Sequence, residues 1–542
     1  MEPATVPFRS SPDAAASTQP AWISRAGTAA ILLVALLARL PGLTESLWYD
    51  ELWSTRVKVG TLGDTLRVAL TDIHPPLYGL ISHGWMRLFG DSELSVRMLP
   101  LLAGLLTVAL LPALGRALAT ERAGWLAAVF LALSPVHIWY SQEARPYSLI
   151  MLLVVLLPLA WDRANRVPES RSAAAWFVLT CIALSQLHYF AIALPVAFVI
   201  TSMWQHRRRA LAFAGFGLAA AGVAALLLIK SNAGSLVLES GYLRTFTPGD
   251  AWSLATSWFL LGGSVAPDAS EGLVARVVAW TFLALCLTGF VAWAIRGAVV
   301  TRDARWSTHL LLLLAVPGLL TTMTLLGRGQ FYIERSALPS LPFFFLAVSS
   351  GLWLLRWRTG IQRAVVAATV VGSFAILLHH YDRRERWTVY KPNPDWRSII
   401  TPLAAQAAQG QRIVVASTTR LTELLYYMPG SGECDLEPSD DQTNPSSAGL
   451  RATLARSFPR SRKYTCGAAG TASVRLYVKA DSNPAWIDSV SANEPGSRAF
   501  VVLNHRWLGR TPALIRQLRA SGVALGEVAR ASGLEVYSVD PR

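Results

Sequence analysis

Five short stretches of the sequence combine ionisable and aromatic residues, and each lies beside a long apolar run. A carboxylate such as Asp50 can take the proton from a hydroxyl or an amine, which contributes about 10²–10⁴-fold to a rate. It can also hold a divalent cation that binds a phosphate, and paired arginines suit a phosphate or diphosphate group. The stretches are LWYDELW (Asp50, Glu51), TDIHPPLY (His74, Tyr78), YSQEARPY (Glu143, Arg145, Tyr147), LHYF (His188, Tyr189) and GRGQFYIERS (Arg335).

Purely structural explanations compete with each of these assignments. Asp50 and Glu51 could form an ordinary solvated acidic pair, and His74 could mark the helix start that Pro75 and Pro76 favour. Arginines at helix ends commonly extend towards lipid headgroups, and Trp and Tyr there are typical of an interface belt. A polar cavity at the membrane surface is the simplest arrangement that satisfies all five stretches together.

Long apolar segments must position these stretches. Of the 542 residues, 53% are hydrophobic, and they concentrate between about residue 26 and residue 380. A run of about 20 apolar residues matches the hydrocarbon core of a bilayer, so the sequence predicts an α-helical polytopic membrane protein with about eleven transmembrane helices. The predicted spans are 26–43, 98–115, 123–139, 146–161, 173–187, 189–204, 210–229, 273–295, 308–326, 337–355 and 363–380.

The arginines between the spans predict the orientation of the chain. The net charge of +15 would suggest nucleic-acid binding in a soluble protein, but here topology explains the arginines and no nucleic-acid partner is expected. With the N-terminus in the cytoplasm, alternate loops are basic, which is the positive-inside pattern. These loops carry Arg116 and Arg122; Arg163, Arg166 and Arg171; Arg207, Arg208 and Arg209; Arg296, Arg302 and Arg305; and Arg356, Arg358 and Arg363.

The orientation depends on two segments that are too short or too polar to span. Residues 75–90 and 251–264 are expected to form interfacial helices. If 75–90 crossed the membrane, the arginine clusters would face outward. With both segments at the interface, all five chemistry-bearing stretches lie on the outer side, where the chain also ends.

The sequence divides into three predicted parts. Residues 1–25 are polar and rich in Ala, Ser and Pro, which predicts a disordered cytoplasmic tail. Residues 26–380 form the transmembrane domain, whose long external loop 44–97 carries interfacial helices. Residues 381–542 are predicted to form a small extracytoplasmic α/β domain.

The α/β prediction for the last part depends on strand-like and helix-like patterns that alternate. If this part lies outside the cytoplasm, Cys434 and Cys466 could form a disulfide. The β-prone runs are 412–417, 474–480, 499–505 and 534–539, and helical patterns lie near 395–409 and 512–521.

The sequence has no nucleotide-binding motif of the familiar kinds. Neither GxxxxGK[ST] nor GxGxxG between a strand and a helix occurs. Nucleotide-sugar chemistry and ATP-driven transport are therefore not predicted. A polar outer cavity without a nucleotide site suits a donor that is already in the membrane, such as a polyprenyl-phosphate sugar.

The ordered motifs LWYDE, D-x-HPPLY, FGDSELSVRMLP and LALSPVHIWYSQEARPYSL resemble those of the GT-C-type membrane glycosyltransferases. The resemblance covers about residues 26–380 and is closest to the bacterial branch similar to protein O-mannosyltransferases and the lipid A aminoarabinose transferase. It implies transfer of a sugar from a polyprenyl-phosphate donor, with inversion. The reaction would take place on the periplasmic face of a bacterial inner membrane, with a lipid, glycan or protein acceptor.

The resemblance also implies roles for individual residues. Asp50 matches the acidic residue of the first external loop, which acts as the base or as a metal-assisted acceptor binder, and Glu51 matches its acidic neighbour. Arg145 and Arg335 match basic positions expected to meet the donor phosphate. A divalent cation would bind at Asp50. Substrate contacts are expected from His74, Tyr78, Glu143, Tyr147, His188 and Tyr189.

Three other functions remain open at the level of sequence. A transporter or flippase for the same kind of lipid would show inverted repeats and broken helices near the middle of the membrane. An enzyme resembling O-antigen ligases or lipid-phosphate enzymes would use a diphosphate donor. A non-catalytic scaffold would not depend on Asp50.

Overall fold

The structure is a computed structural model. It describes residues 21–55, 61–71, 74–205, 208–232, 245–262, 272–299, 303–327, 332–355, 359–382 and 395–408, and in the last part 413–417, 427, 466–468, 472–477, 498–504, 516, 519–520, 524–531 and 534–540.

Seventeen α-helices lie in these described residues: α1 (Ala21–Leu37), α2 (Tyr49–Thr55), α3 (Leu62–Thr71), α4 (Leu77–Phe89), α5 (Glu93–Leu118), α6 (Glu121–Leu133), α7 (Pro135–Ser141), α8 (Tyr147–Arg166), α9 (Arg171–Leu187), α10 (Ala193–Gln205), α11 (Arg209–Asn232), α12 (Pro248–Ser253), α13 (Leu273–Val299), α14 (Ala304–Leu325), α15 (Leu341–Leu354), α16 (Thr359–Asp382) and α17 (Trp396–Ala408). Two 3₁₀ helices (Tyr189–Ile192 and Glu334–Ser340) and a π-helix (Leu254–Leu260) complete the helical structure of this part of the chain.

Seven helical segments of the described chain are long and apolar enough to cross a membrane. They are α5, α8, α11, α13, α14, α15 with the 3₁₀ helix before it, and α16. The pair α6 and α7 passes the same test as one bent span, which brings the number to eight. Three shorter apolar helices coincide with the remaining predicted segments: Arg25–Leu37, Arg171–Leu187 and Tyr189–Trp204. The chain is therefore a multi-pass membrane protein.

Polar residues in the loops fix where several of these helices begin. The Ser92 hydroxyl accepts from the Ser95 amide at the start of α5, and Thr120 accepts from Ala123 at the start of α6. Each bond satisfies an amide that the first helical turn leaves without a partner. Short polar loops thus cap the apolar helices.

The bend between α6 and α7 brings one arginine into the membrane interior. Pro135 follows Ser134 at the break, and the two helix axes differ by 66°. A broken helix leaves carbonyl groups without intrahelical donors. The fully buried Arg39 donates to two of them, Ala132 O at 3.1 Å and Leu131 O at 3.5 Å. Arg39 therefore compensates for the missing intrahelical hydrogen bonds at the end of α6.

Helix α15 lies at the centre of the fold. Its sequence LPFFFLAVSSGLWL is apolar on all faces, which is typical of a helix surrounded by others. Gly351 lies so close to the Gly289 carbonyl of α13 that a Cβ atom at position 351 would overlap it. Small residues allow such close backbone contact between membrane helices. The 3₁₀ helix that carries Arg335 leads directly into this central helix.

Short helices occupy the two segments that the sequence predicts to be interfacial, 75–90 and 251–264; their position at the interface stays a prediction. Helix α4 covers 13 residues and is not among the spanning segments, and α12 with the π-helix covers residues 248–260. The predicted tail differs at its end, because α1 begins at Ala21. A five-residue helical extension joins the apolar run there. Residues 1–20 lie outside the described residues.

The last part contains a six-stranded mixed sheet of order β2-β3-β1-β4-β6-β5. Strands β3, β1 and β4 are parallel, whereas β2, β6 and β5 run antiparallel to their neighbours. The buried face of α17, with Trp396, Ile399 and Leu403, belongs to this layer. The strands are β1 (Ile413–Ser417), β2 (Cys466–Ala468), β3 (Ala472–Tyr477), β4 (Arg498–Asn504), β5 (Ala524–Ala531) and β6 (Leu534–Asp540).

The α/β character expected for this part is confirmed. The four β-prone runs coincide with β1, β3, β4 and β6, whereas β2 and β5 were not predicted. The predicted helix near 512–521 is described only at residues 516, 519 and 520. Cys434 lies outside the described residues, so the proposed pairing with Cys466 stays a prediction.

The last part contacts the external loop just before α2. The Leu47 amide donates to the Tyr427 hydroxyl at 2.6 Å. Arg397 donates to the Thr44 carbonyl and lies 3.5 Å from the Glu93 carboxylate. The segment that leads into Asp50 is therefore held from the side of the sheet.

Candidate active site

Glu51 and Arg97 form the structural anchor of the candidate site. Arg97 Nε donates to Glu51 Oε1 at 2.8 Å, and Arg97 Nη2 donates to Oε2 at 2.7 Å. Both side chains are buried. Arg97 also donates to the carbonyls of the loop before α2, which are those of Gly42, Leu43, Glu45 and Ser46.

The Glu51 carboxylate also binds two amides. Oε1 accepts from Ala144 N at 2.9 Å, and Oε2 accepts from Trp48 N at 3.3 Å. Glu51 thus joins α2, α5 and residues 142–146, which we call the QEARP turn. The predicted catalytic role does not fit this arrangement, because both oxygens are engaged and shielded from solvent.

Asp50 points in a different direction from its neighbour. Successive helical residues differ by about 100° around the axis, so α2 can bury Glu51 and turn Asp50 towards the arginines. Asp50 Oδ2 lies 3.5 Å from Arg335 Nη1 and 3.7 Å from Arg145 Nη2. Its side chain keeps 19% of its surface exposed. The fold therefore brings together the acid and the two arginines that the sequence analysis selected.

Arg145 is held from several sides. Its guanidinium donates to Ser54 Oγ at 3.1 Å and to the Tyr147 hydroxyl at 3.3 Å, and it lies over the Tyr147 ring at 5.5 Å. The Arg145 side chain is 4% exposed, whereas that of Arg335 is 23% exposed. Two guanidinium groups around one carboxylate leave an excess of positive charge, which suits a phosphate.

Glu143 is the third carboxylate of the site. The residue is 5% exposed, and its Oε2 atom has no hydrogen-bond partner in the described part of the chain. Burial raises the pKa of Glu143 to about 7; Glu51 and Asp50 also raise it, whereas Arg145 and Arg335 lower it. The interaction with all four charged residues places Glu143 in the same cluster.

Two histidines and Tyr78 border the cluster. Burial, together with the nearby His74, Arg335 and Arg145, lowers the pKa of His188 to about 3. A neutral His188 can therefore accept or donate a hydrogen bond. Burial, with the charges of Glu51 and Glu143, raises the pKa of Tyr78.

Tyr189 is partly buried and begins the 3₁₀ helix that follows His188. It lies two residues after the last residue of α9, and its predicted role in substrate binding stays a prediction.

Sequence analysis missed two residues of this region, Arg97 and Lys230. Lys230 is fully buried near the end of α11, and its Nζ donates to the His74 carbonyl at 2.6 Å. Both residues are ionisable groups at the end of an apolar run. That signal was available, because such residues are rare unless they have a partner or a function.

The residues around Asp50 do not fit a bound divalent cation. In the ranges that the structure describes, no group of three or more His, Cys, Asp or Glu side chains is arranged to hold a metal. Asp50, the expected ligand, faces two guanidinium groups, which repel a cation.

Comparisons with known proteins agree with this architecture. Residues 73–233 match the family model of dolichyl-phosphate-mannose-protein mannosyltransferases. No curated protein matches the sequence. Among solved structures, ArnT from Cupriavidus metallidurans in the apo state matches with a TM-score of 0.56 and 13% identity over 97% of this chain and 100% of that one.

Two further structures share the fold. ArnT from Cupriavidus metallidurans bound to undecaprenyl phosphate matches with a TM-score of 0.52 and 14% identity, covering 96% of this chain and 99% of that one. The Archaeoglobus fulgidus oligosaccharyltransferase tethered to an acceptor peptide matches with a TM-score of 0.51 and 10% identity, covering 96% and 74%. The chain thus has the polytopic GT-C fold. The resemblance to protein O-mannosyltransferases and ArnT expected from the motifs is confirmed.

Proposed function

We propose that the protein transfers a sugar from a polyprenyl-phosphate donor to a hydroxyl or amine of a lipid, glycan or protein acceptor. The observation that carries this proposal is the convergence of Arg145 and Arg335 within 4 Å of Asp50, at the ends of separate helices. The similarity to a family of dolichyl-phosphate-mannose transferases supports it. So does the fold shared with a protein that binds undecaprenyl phosphate.

In this proposal the prenyl chain of the donor lies in the lipid and its phosphate binds Arg145 and Arg335. The acceptor oxygen or nitrogen attacks the anomeric carbon from the side opposite the phosphate, and the configuration inverts. Negative charge grows on the leaving phosphate, and the fixed guanidinium groups stabilise that charge in the transition state. Asp50 is the carboxylate that the sequence analysis selected to receive the acceptor.

The reaction would take place on the periplasmic face of a bacterial inner membrane. The arginine-rich loops would lie in the cytoplasm by the positive-inside rule. Tyr427 and Arg397, in the last part of the chain, contact the loop next to Asp50, which supports a shared compartment for the site and this part. We propose the same three-part organisation as above: the tail, the transmembrane domain and the periplasmic domain 381–542.

A transporter of lipid-linked sugars is the second candidate. The bent pair α6 and α7 favours it, because broken helices are typical of transporters. The carbonyls of Leu131 and Ala132 at this break, however, accept hydrogen bonds from Arg39. The polar cluster at Asp50 lies at helix ends, which favours the transferase.

Two measurements test the proposed function. Lipids, polymers and proteins of cells with and without the gene are compared, and a transferase predicts one missing glycan and an accumulated polyprenyl-phosphate sugar. The purified full-length protein is then given that sugar lipid, with membranes of the deletion cells as acceptor. Asp50→Asn should reduce turnover by about 100-fold or more and leave the melting temperature unchanged.

The matched control for this variant is Asp162→Asn. Asp162 forms a partly exposed i,i+4 pair with Arg166 far from the site residues in sequence, so turnover should stay at the wild-type level. Wild-type protein that moves the sugar lipid between leaflets without release of polyprenyl phosphate would favour the transporter.

A further inference from the structure

Three carboxylates meet at the site, but they differ in what their oxygens bind. Glu51 is engaged by Arg97 and by two backbone amides. Asp50 Oδ2 faces two guanidinium groups. Glu143 Oε2 has no partner in the described residues, although the residue is almost fully buried. A buried polar atom without a partner destabilises the fold, which suggests that a ligand uses it.

Glu143 lines a small cavity next to the acid-bearing helix. The cavity has about 10 Å³ of space for a water-sized group, and its walls contain Trp48, Trp139 and Gln142. Gln142 itself is fixed, since its side-chain amide donates to the Arg39 carbonyl at 2.8 Å. The cavity therefore leaves room beside Glu143 for one small polar group, such as a hydroxyl, next to aromatic and amide groups.

We propose that Glu143 receives the proton of the acceptor nucleophile, whereas Asp50 pairs with Arg145 and Arg335 and holds them for the donor phosphate. This inference rests on the proposed function. The acceptor O–H or N–H bond breaks and its proton goes to Glu143 Oε2. The freed electron pair forms the new glycosidic bond, and the bond between the anomeric carbon and the phosphate oxygen breaks. The charge lost at Glu143 appears on the released polyprenyl phosphate.

The charged groups around Glu143 suit this task. Arg145 and Arg335 favour the ionised form, whereas burial, Glu51 and Asp50 favour the protonated form. Glu45 lines the same cavity, and Tyr78 is electrostatically coupled to Glu143. The resulting pKa of about 7 is close to the pH at which such a protein works. A general base is most effective when its pKa lies near that pH.

The test uses the purified full-length protein, the sugar lipid that accumulates in deletion cells, and membranes of those cells as acceptor. Wild-type turnover should rise between pH 6 and pH 8 with a midpoint near 7. Glu143→Gln should lower turnover at pH 8 by about 100-fold or more and abolish that rise. Its affinity for undecaprenyl phosphate should stay within about threefold of wild type, because Asp50 and both arginines remain.

Glu121→Gln is the matched control, since Glu121 is exposed and pairs with Arg116 at a distant helix start. It should keep the wild-type pH profile. If Glu143→Gln does not fold, Glu143→Asp is measured in its place. Turnover that still rises with pH supports the inference, and turnover that does not change with pH overturns it.

The remaining outcomes separate this inference from the function itself. Glu143→Gln with the wild-type profile would overturn the role of Glu143 and leave the transferase intact. Loss of undecaprenyl phosphate affinity in Glu143→Gln would also overturn it, because the residue would then serve the donor. Wild-type protein without turnover would overturn the proposed function and, with it, this inference.

Discussion

Arg97 donates two parallel hydrogen bonds, of 2.8 and 2.7 Å, to the Glu51 carboxylate, and neither side chain is exposed to solvent. The arginine lies on the long helix α5, and the glutamate lies on the seven-residue helix α2. A helix of two turns has little stability of its own in water. The ion pair therefore fixes α2, and with it the direction of Asp50.

Removal of either partner should destabilise the protein. Breaking a buried pair leaves one charge without compensation and typically costs about 3–5 kcal/mol. Arg97→Met and Glu51→Gln should therefore lower the melting temperature in detergent. Arg116→Ala is the control, because the Arg116–Glu121 pair is about half exposed and should contribute little. Glu51→Gln with a wild-type melting temperature and no turnover would instead indicate a catalytic Glu51.

Arg145 and Arg335 should each be needed for binding of undecaprenyl phosphate. A hydrogen bond to a charged group contributes about 1.5–3 kcal/mol, so Arg145→Ala and Arg335→Ala should each weaken binding by about 10- to 100-fold. Binding can be followed by intrinsic tryptophan fluorescence of the purified protein. Arg166→Ala is the control, since that side chain is 64% exposed. Equal affinity in all three variants would place the phosphate elsewhere.

Glu143 should make stability depend on pH in a defined direction. Burial raises its pKa from 4.5 to about 7, so between these values the folded protein binds a proton that the unfolded chain releases. The contribution of this group to stability is present at low pH and decreases by up to roughly 3 kcal/mol as the pH rises through 7. Glu143→Gln cannot ionise and should gain melting temperature over wild type between pH 5 and pH 8. Parallel curves for the two proteins would contradict the shifted pKa.

The contact between α13 and α15 should not tolerate a methyl group. A Cβ at position 351 would overlap the Gly289 carbonyl, so Gly351→Ala forces the two helices apart. The 3₁₀ helix that carries Arg335 leads directly into α15, so a shift of α15 would also move Arg335. We therefore expect a lower melting temperature together with weaker undecaprenyl phosphate binding. Gly318→Ala is the matched control, because nothing lies within 4 Å of a Cβ there and alanine favours helix. Equal stability of both variants would mean that the helices can separate without cost.

The parts of the fold that could be predicted depend on local patterns. An apolar run of sufficient length forms a helix in a bilayer whatever its neighbours are, so the spanning helices coincide with predicted segments. Four strands followed from β-branched runs such as RIVVAS in β1. Strand β5, with the sequence ALGEVARA and a bulge near Glu527, lacks that alternation. It is stabilised by pairing with β6, which no local pattern reveals.

The sequence predicted which residues meet at the site, but not which partners each of them has. Asp50, Arg145 and Arg335 meet as expected, because each lies at the same end of an apolar segment. Asp50 and Glu51 have different partners because of how α2 is rotated about its axis. That rotation depends on Arg97, which is 46 residues after Glu51 in the chain. Such a pairing across the fold leaves no mark in either local sequence. The position of Lys230 at the end of an apolar run marked it as a candidate, but its partner, the distant His74 carbonyl, could not be read from the sequence.

The elbow at Ser134 and Pro135 has a consequence for how deep the site lies. Helix α7 has seven residues and a length of about 10 Å. Because it turns by 66°, it rises only about 4 Å along the direction of α6. The QEARP turn therefore stands roughly 6 Å less far along the α6 axis than a straight rod would carry it. Under the proposed function, the donor headgroup would then meet Arg145 closer to the body of the helical bundle than an unbent helix would allow.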